Sequence, residues 1–466
     1  MDKDNNKNKD NKDTVIYKVP KGTQDFDPGR QYSRQLLVTE AIKQFRLFGA
    51  KPIDTPTFER EDVLMEKYGE ESDKEIFRLV TEKDTEDSES LALRYDLTVP
   101  FARYIKNKGL KKLKRYQIGK VYRRDQPNMK AGRFREFLQC DYDCLDARCD
   151  PSLADAETLV LLMNVLDTTG GPNYTIRLND RNILYGMLEF CGVPADLYGT
   201  VCSSIDKLDK KKWKAITTEL EEKGLSSDII EKLGLSLTQY KNVTWETLAD
   251  VPFVPTGIND SFQKLFKYIQ ILSSRQEPLD RIKIDFSLAR GLDYYTGIIF
   301  EVVMTQKKKK VGSIAGGGRY DELCGVPCVG FSVGIDRIMT ALKPSPKREY
   351  NPTVWVVQVN PDDVVPGLYE YRLQVLASLR KAGIKTGTEL RPDTGMGAQI
   401  KYVLKNEIPF IVFVGPDEMK SQVVTLKDMD MQKQYSGINM DMVICYLSLD
   451  NKNLFIINPK LFNLGP

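Results

Sequence analysis

Apolar residues recur at helical spacing from Arg34 to Phe48, "RQLLVTEAIKQFRLF", and Gly49 follows as a C-cap, so the pattern predicts a helix there. The next stretch, "KPIDTPTF", reads as an extended edge strand, because Pro56 cannot donate to a sheet ladder. Between Arg115 and Asp143 two strand-like runs, "RYQIGKVYR" and "FREFLQCDYD", flank the polar loop "RDQPNMKAG", whose Pro and Gly mark a long hairpin connection. "PSLADAETLVLLMNVLDTTG" predicts a helix opened by Pro151 and closed at Gly170.

From 183 to 275 the chain turns polar and helical, with "DKLDKKKWKAITTELEEKG" its clearest amphipathic piece, and reads as a helical insertion between strand-rich parts, 15–182 and 276–343. Strands resume with "DRIKIDFSL", "TGIIFEVVM" and the Gly-rich "GSIAGGGRYDEL", and "VGFSVGIDRIMTAL" is a strand running into a helix. "KPSPKREYNP" places prolines among charges and reads as a linker, 344–352. Beyond it, "TVWVVQV", "LYEYRLQVLASLRKAGI", "KTGTEL", "GAQIKYVLKNEI" and "PFIVFVG" alternate strand and helix, as a small α/β domain over 353–466 does.

Composition narrows the class. The chain has 466 residues, 41% hydrophobic and 29% charged, which is globular and too long for one ordinary core. No apolar run is long enough to span a bilayer. A net charge of +3 is nearly balanced, so nucleic-acid affinity must come from local clustering. Clustering is present: from Lys106 to Glu136 there are twelve Lys or Arg against two acids, and short runs recur at Lys210–Lys212 and Lys307–Lys310. Eight cysteines without a CxxC pair, in a chain with no histidine, argue for free thiols in a reducing compartment; Cys140, Cys144, Cys324 and Cys328 read as packing residues, and no metal site is expected. The polar opening, residues 1–14, reads as a disordered tail and not as a secretory or mitochondrial leader.

Four polar clusters stand on the strands: "RYDLT" (Arg94–Thr98), "YRRD" (Tyr122–Asp125), "FREFLQCDYD" (Phe134–Asp143) and "RGLDYYTG" (Arg290–Gly297). Any one alone reads as a solvated face or an ion pair. Several arginines on strands, none in a Walker loop, suggest phosphate held by side chains. In this order the clusters resemble a known family. "FGAKPIDTPTFE", "YRRD…GRFREFLQCDYD" and "VGFSVGIDRI" are similar to the three signature motifs of class II aminoacyl-tRNA synthetases, and "LRYDLT", "RGLDYYTG" and "AGGGRYDEL" resemble histidyl-tRNA synthetases of the eukaryotic cytosolic type. The resemblance runs from about Val19 to at least Leu426.

The resemblance implies an α+β catalytic core with a mixed, mainly antiparallel sheet, a helical insertion and a C-terminal α/β anticodon-binding domain. It implies charging of tRNA(His) with L-histidine through an adenylate, using ATP and Mg²⁺, by a cytoplasmic homodimer that needs no membrane; Pro56 and the first motif would shape the subunit interface. Arg123 would bridge the ATP α-phosphate and the amino-acid carboxylate, with Asp125 and Phe137 holding the adenine, Arg133 and Arg337 clamping the terminal phosphates, and Arg290 stabilising charge on the α-phosphate in place of a metal ion. Asp96, Leu97, Thr98, Gln139 and Asp143 would line the amino-acid pocket and hold the α-amino group; Tyr294, Tyr295 and Tyr320 would contact the imidazole. Two other readings stay open on these motifs: a synthetase-like regulator, and another class II synthetase, which would share the three motifs but not "RGLDYYTG".

The chemistry suits a chain without histidine. A carboxylate attacking phosphorus is already ionised and needs positioning and charge stabilisation, not a general base. Neutral imidazole offers one donor and one acceptor, and a pocket that pairs both leaves buried groups unsatisfied with other amino acids, at roughly 1–3 kcal/mol each. Many family members carry a histidine in the second motif where this chain has Arg124 and Leu138, neither of them an implied ligand contact. The lysines Lys108, Lys111, Lys112 and Lys114 read as a solvated face more than a tRNA contact. Strand alternation alone would put Arg290 and Tyr295 on opposite faces, so "RGLD" is expected to bend at Gly291 and "YYTG" to start the following strand.

Overall fold

The computed structural model describes residues 17–65, 75–80, 90–169, 173–209, 211–291, 294–306, 309–342, 350–359, 365–391 and 393–448. The expected tail, Lys210, Leu292 and Asp293 of "RGLDYYTG", Lys307 and Lys308, most of the linker and 449–466 lie outside the described residues. The chain divides into two compact units, one containing Arg34–Lys343 and the other joining Phe26–Ser33 to the chain beyond Pro344.

The first unit is organised by one sheet. Its strands are β1 (Lys51–Pro52), β2 (Phe58–Arg60), β3 (Leu91–Leu93), β4 (Lys112–Tyr122), β5 (Glu136–Asp146), β6 (Tyr174–Asp180), β7 (Ile282–Ile284), β8 (Ile298–Gln306), β9 (Lys309–Arg319) and β10 (Cys328–Gly334). Among the described residues β2 and β3 pair by themselves, and the other eight run in the order β1-β4-β5-β10-β9-β8-β6-β7. The outermost pairings, β1–β4 and β6–β7, are parallel and those between are antiparallel, so the sheet is mixed and mainly antiparallel. The hairpin read between Arg115 and Asp143 is β4–β5, in register from Lys112 opposite Asp146 to Tyr122 opposite Glu136. Between β6 and β7 the described elements are helical, ending in Thr256–Leu272, whose Phe262, Leu265, Phe266 and Ile269 are buried and which packs on the helix Pro151–Thr169.

Period-two alternation sorts the sheet into two faces. Tyr116, Tyr142 and Phe331 are neighbours across β4, β5 and β10. All three meet Phe45 of the first helix, Pro28–Leu47, at centroid distances of 5.4, 6.2 and 6.2 Å. Pro151–Thr169 covers the same face, where Asp155 takes Arg319 of β9 at 2.5 Å and Glu157 takes Lys114 of β4 at 2.6 Å. The first helix begins at Pro28, earlier than its apolar spacing indicates, because the Asp27 carboxylate accepts the Arg30 N–H at 2.9 Å and proline suits a first helical turn.

The opposite face is polar. It carries Arg115 and Gln117 of β4, Gln139, Asp141 and Asp143 of β5, Gly330, Ser332 and Gly334 of β10, Gly316 and Gly318 of β9, and Glu301 of β8. One expectation is corrected here. "YYTG" does not start a strand: the Tyr294 and Tyr295 N–H groups donate back to the Gly291 carbonyl at 3.3 and 3.1 Å, and β8 begins at Ile298. Gly291 takes φ 68°, a left-handed conformation that turns the chain tightly enough for those bonds to close.

The second unit has strands β11 (Val354–Gln358), β12 (Thr386–Thr388), β13 (Phe410–Val414), β14 (Val424–Asp428) and β15 (Lys433–Ile438), ordered β12-β11-β13-β14-β15. Helices Leu368–Lys381 and Met396–Lys405 alternate with the first three strands, as the pattern reads. The sequence left 427–466 without a role; β15 and the helix Met440–Ser448 complete this core, burying Ile438, Val443 and Tyr446.

Phe45→Ala removes the ring that joins the first helix to three strands. It should destabilise the first unit by about 3–5 kcal/mol, read as a lower urea midpoint at unchanged slope, whereas a loss under about 1 kcal/mol would mean the sheet closes over the gap.

Candidate active site

At one end of the polar face four arginines gather. Arg123 follows β4, its N–H held by the Arg135 carbonyl at 2.8 Å, and its guanidinium lies 4.2 Å from the Tyr95 ring centre and 5.3 Å from that of Phe137. Arg337, on the helix Ile335–Leu342, donates to the Ser313 carbonyl. Burial lowers the Arg337 pKa to about 10, and Arg133, Arg123 and Arg290 press it the same way as like charges, with Glu301 opposing. Arg290 is exposed and pairs with the buried Glu301 carboxylate, whose other oxygen takes Arg177 at 3.2 Å. Arg177 in turn is held by Asp285 at 2.7 Å. Asp125 and Arg133 are exposed on the hairpin loop, and the Asp125 side chain accepts from the Gln126 N–H at 2.6 Å.

The middle of the face is acidic over one buried cation. Arg115 has no exposed surface; it reaches Asp143 at 2.5 Å and the Leu97 carbonyl at 3.1 Å, and lies 4.4 Å from the Phe101 ring centre. Leu97 therefore contributes its carbonyl, since its side chain is core. Tyr320, 2% exposed, donates its hydroxyl to Asp143. A Cβ at Gly330 would collide with that same Asp143 oxygen, which is why the neighbouring strand carries glycine there. Asp96 accepts from the Thr98 and Val99 N–H groups, both at 3.0 Å, and so opens the helix Thr98–Lys108. Burial pushes the carboxyls of Asp141 and Asp143 up to about 6 and about 7; Arg115 pulls both back, while Asp96 pushes both further up. Gln139 Oε1 and Asp141 Oδ1 are buried with no hydrogen-bond partner.

At the far end Tyr294 and Tyr295 stack at 4.4 Å, and Tyr294 meets Tyr320 edge-on at 6.5 Å. A Cβ at Gly291 would stand 2.5 Å from the Tyr295 ring and one at Gly318 2.7 Å, so the ring fills the space both glycines leave. Burial raises the phenol of Tyr294 to about 12 and that of Tyr295 well above its ordinary value, so both stay neutral donors at physiological pH.

Most of the residues expected from sequence thus share one face. Asp125 is the outlier, its carboxylate turned onto its own loop. Arg115, Asp141 and Glu301 were not singled out. Their signal was nevertheless present: polar side chains at 139, 141 and 143 keep strand alternation, and Glu301 is a lone charge in the apolar run "IIFEVVM". Of the lysine cluster, Lys112 pairs with Asp146 at 2.8 Å and Lys114 with Glu157 at 2.6 Å, which favours the solvated-face reading. Cys140, Cys144, Cys324 and Cys328 are free and buried. Among the described residues no group of three or more His, Cys, Asp or Glu could hold a metal, and no helix is long and apolar enough to cross a membrane.

Both raised carboxyls hold their protons to higher pH in the folded chain than in the unfolded one. Their contribution to stability is therefore greatest below about pH 4, declines as the unfolded carboxyls ionise, and levels off above about pH 7. Asp141→Asn should be more stable than the parent by an amount that grows from about pH 4 to about pH 6 and is then constant in urea titrations; a difference independent of pH would show that Asp141 is not raised.

A family model for histidyl-tRNA synthetase matches residues 22–338 and one for an anticodon binding domain matches 353–448. The chain is 40% identical to the cytoplasmic histidine–tRNA ligase of Dictyostelium discoideum over 457 residues, covering 93% of this chain and 91% of that one. It is 35% identical to the mitochondrial histidine–tRNA ligase of Mus musculus, covering 93% and 88%. The crystal structure of histidyl-tRNA synthetase from Nostoc sp. PCC 7120 superposes with a TM-score of 0.70 at 26% identity, covering 91% of this chain and 97% of that one. With its arginines, carboxylates and tyrosines aligned on one face of a mixed sheet, and with both family models matched in order, the chain belongs to the histidyl-tRNA synthetase family.

Proposed function

We propose that this chain ligates L-histidine to tRNA(His) with ATP, through a histidyl-adenylate, releasing pyrophosphate and then AMP. The observation that carries this reading is the gathering of Arg123, Arg133, Arg290 and Arg337 beside buried carboxylates. Three like charges close enough to help burial lower the basicity of Arg337 are costly unless a polyanion occupies the space beside them.

On this reading Phe137 stacks on the adenine, Arg133 and Arg337 hold the terminal phosphates, and Asp125 reaches the adenine by a movement of its loop. Arg123 bridges the α-phosphate and the amino-acid carboxylate, fixing attacking oxygen and phosphorus in line. That oxygen bonds to the α-phosphorus as the bond to the bridging oxygen breaks, and pyrophosphate leaves with the electron pair. No proton moves, so no histidine is required. Arg290 leaves Glu301 to meet charge developing on the α-phosphate. Mg²⁺ bound to ATP needs few protein ligands, and Glu301 is the buried carboxylate beside the arginines that would meet it, the ion supplying charge neutralisation of the phosphates. A hydroxyl at the tRNA end then attacks the carbonyl carbon, the acyl–oxygen bond to phosphate breaks, and AMP leaves with the electron pair, its phosphate taking the hydroxyl proton.

Asp96, Thr98, Gln139 and Asp143 hold the amino-acid end, and Tyr294, Tyr295 and Tyr320 surround the imidazole. The regulator reading loses ground to the match at 353–448, a domain that such paralogues lack. Both cytoplasmic and mitochondrial relatives are similar to this chain, and its free thiols suit a reducing compartment such as the cytoplasm. A homodimer is supported by exposed apolar side chains beside the edge strand, Phe58 at 52% and Leu79 at 38%.

Histidine-dependent exchange between ATP and pyrophosphate should be present and should fall by about 10²–10³-fold in Arg290→Ala. Exchange with another amino acid, or an unaffected variant, would falsify the reading. In sedimentation the parent should run as a dimer and Phe58→Asp should shift it toward monomer; a parent that sediments as a monomer removes the interface proposal.

A further inference from the structure

The amino-acid end of the face has one carboxylate more than the roles above use. Asp141 lies on β5 between Gln139 and Asp143, in register with Gln117 of β4 and Ser332 of β10, and is 1% exposed. Its Oδ1 has no hydrogen-bond partner, and no ion pair forms to it among the described residues. The Arg115 charge and the Ser332 hydroxyl meet this carboxylate only in part, since the Arg115 ion pair is made to Asp143, so a buried Oδ1 stays open to a further donor.

The charges facing Asp141 identify which part of a substrate supplies it. From its own strand comes Asp143, already paired with Arg115; from just before the helix Thr98–Lys108 comes Asp96, whose carboxylate caps that helix; from within β4 comes Arg115 and from just after it Arg123; from β10 comes the Ser332 hydroxyl. Asp141 senses Arg123, the proposed holder of the amino-acid carboxylate, whereas Asp143 is bonded to Tyr320 toward the ring end. The group one carbon from that carboxylate is the α-ammonium. It carries three donors and a full charge, where neutral imidazole carries one donor and no charge. Gln139 Oε1, also buried and unpartnered, is the adjoining acceptor on the same strand face.

Resting on the reading of the site as a histidine pocket, we propose that Asp141 is a further substrate-binding residue, its carboxylate pairing the α-ammonium group of the amino acid beside Gln139 and Asp96. Burial in the empty pocket holds its proton more tightly, and the incoming ammonium restores the anion. The vacant pocket is thereby less costly to fold, and the filled one gains a charge-assisted bond.

Two inhibitors of histidine-dependent ATP–pyrophosphate exchange separate the alternatives. Histidinol keeps the ammonium and imidazole without the carboxylate; imidazolepropionate keeps the carboxylate and imidazole without the ammonium. In Asp141→Asn the inhibition constant for histidinol should rise by about 10- to 100-fold, that for imidazolepropionate should be unchanged, and thermal stability should be equal or higher. Asp141→Ala repeats the comparison if the asparagine chain does not fold. Equal weakening of both inhibitors would assign Asp141 to the ring or to pocket shape and overturn the proposal, as would no weakening of either. A parent enzyme that neither inhibitor affects, and that shows no exchange with histidine, overturns the histidine reading itself.

Discussion

Arg115 is a guanidinium without contact with water, placed in the middle of the central strand pair. Such a charge is tolerable only if it is paired and its remaining donors are occupied or screened. The Asp143 carboxylate and the Leu97 carbonyl take its Nη2, and the ring face of Phe101 lies over the guanidinium, while Nε and Nη1 are buried without hydrogen-bond partners; each neighbour comes from a different element: β5, the turn before a helix, and the helix itself. Satisfying one cation thus pins the hairpin to the segment that carries Asp96 and Thr98. Breaking such a buried pair typically costs about 3–5 kcal/mol because the other partner is left uncompensated. The same pair fixes the carboxylate onto which Tyr320 closes, so the far wall of the pocket depends on it as well.

Around that pair the polar face is electrostatically unfinished. At one end burial and three neighbouring arginines lower the basicity of Arg337, carboxylates with raised affinity for protons fill the middle, and neutral tyrosines line the other. Each is unfavourable by itself. Together they suit the proposed ligands, an amino acid and a polyphosphate. The opposite face is filled differently: Phe45, Tyr116, Tyr142 and Phe331 pack as an aromatic cluster, and the buried Arg319 pairs with both Asp155 and Asp321. On the proposed reading the helical face supplies stability and the other face binds, as expected where a site stores unfavourable interactions that the rest of the fold offsets.

Glycine makes the arrangement possible at two kinds of position. At Gly291 the left-handed backbone turns "RGLDYYTG" back so that its tyrosines and its arginine serve one pocket. At Gly318 and Gly330 no conformational freedom is at issue; a side chain would occupy the volume taken by Tyr295 or by the Asp143 carboxylate. Neither effect is apparent from composition, since both depend on what a neighbouring strand or turn brings alongside.

By itself the sequence determined the elements with strong periodicity, the hairpin of the second motif, the alternation of the second unit, and a set of polar clusters whose order identifies the family. Those features are local: they follow from spacing along the chain and from residue types that suit phosphate or imidazole. Tertiary structure decided which of the clusters touch. Cross-strand register brought Arg115, Asp141 and Glu301 into the site from runs that looked ordinary, spent the Leu97 side chain on the core, turned the Asp125 carboxylate onto its own loop, and made "YYTG" a turn. The physical reason is that burial, and with it the cost of a charge, is a property of what surrounds a residue in three dimensions, and the linear pattern carries only half of that information.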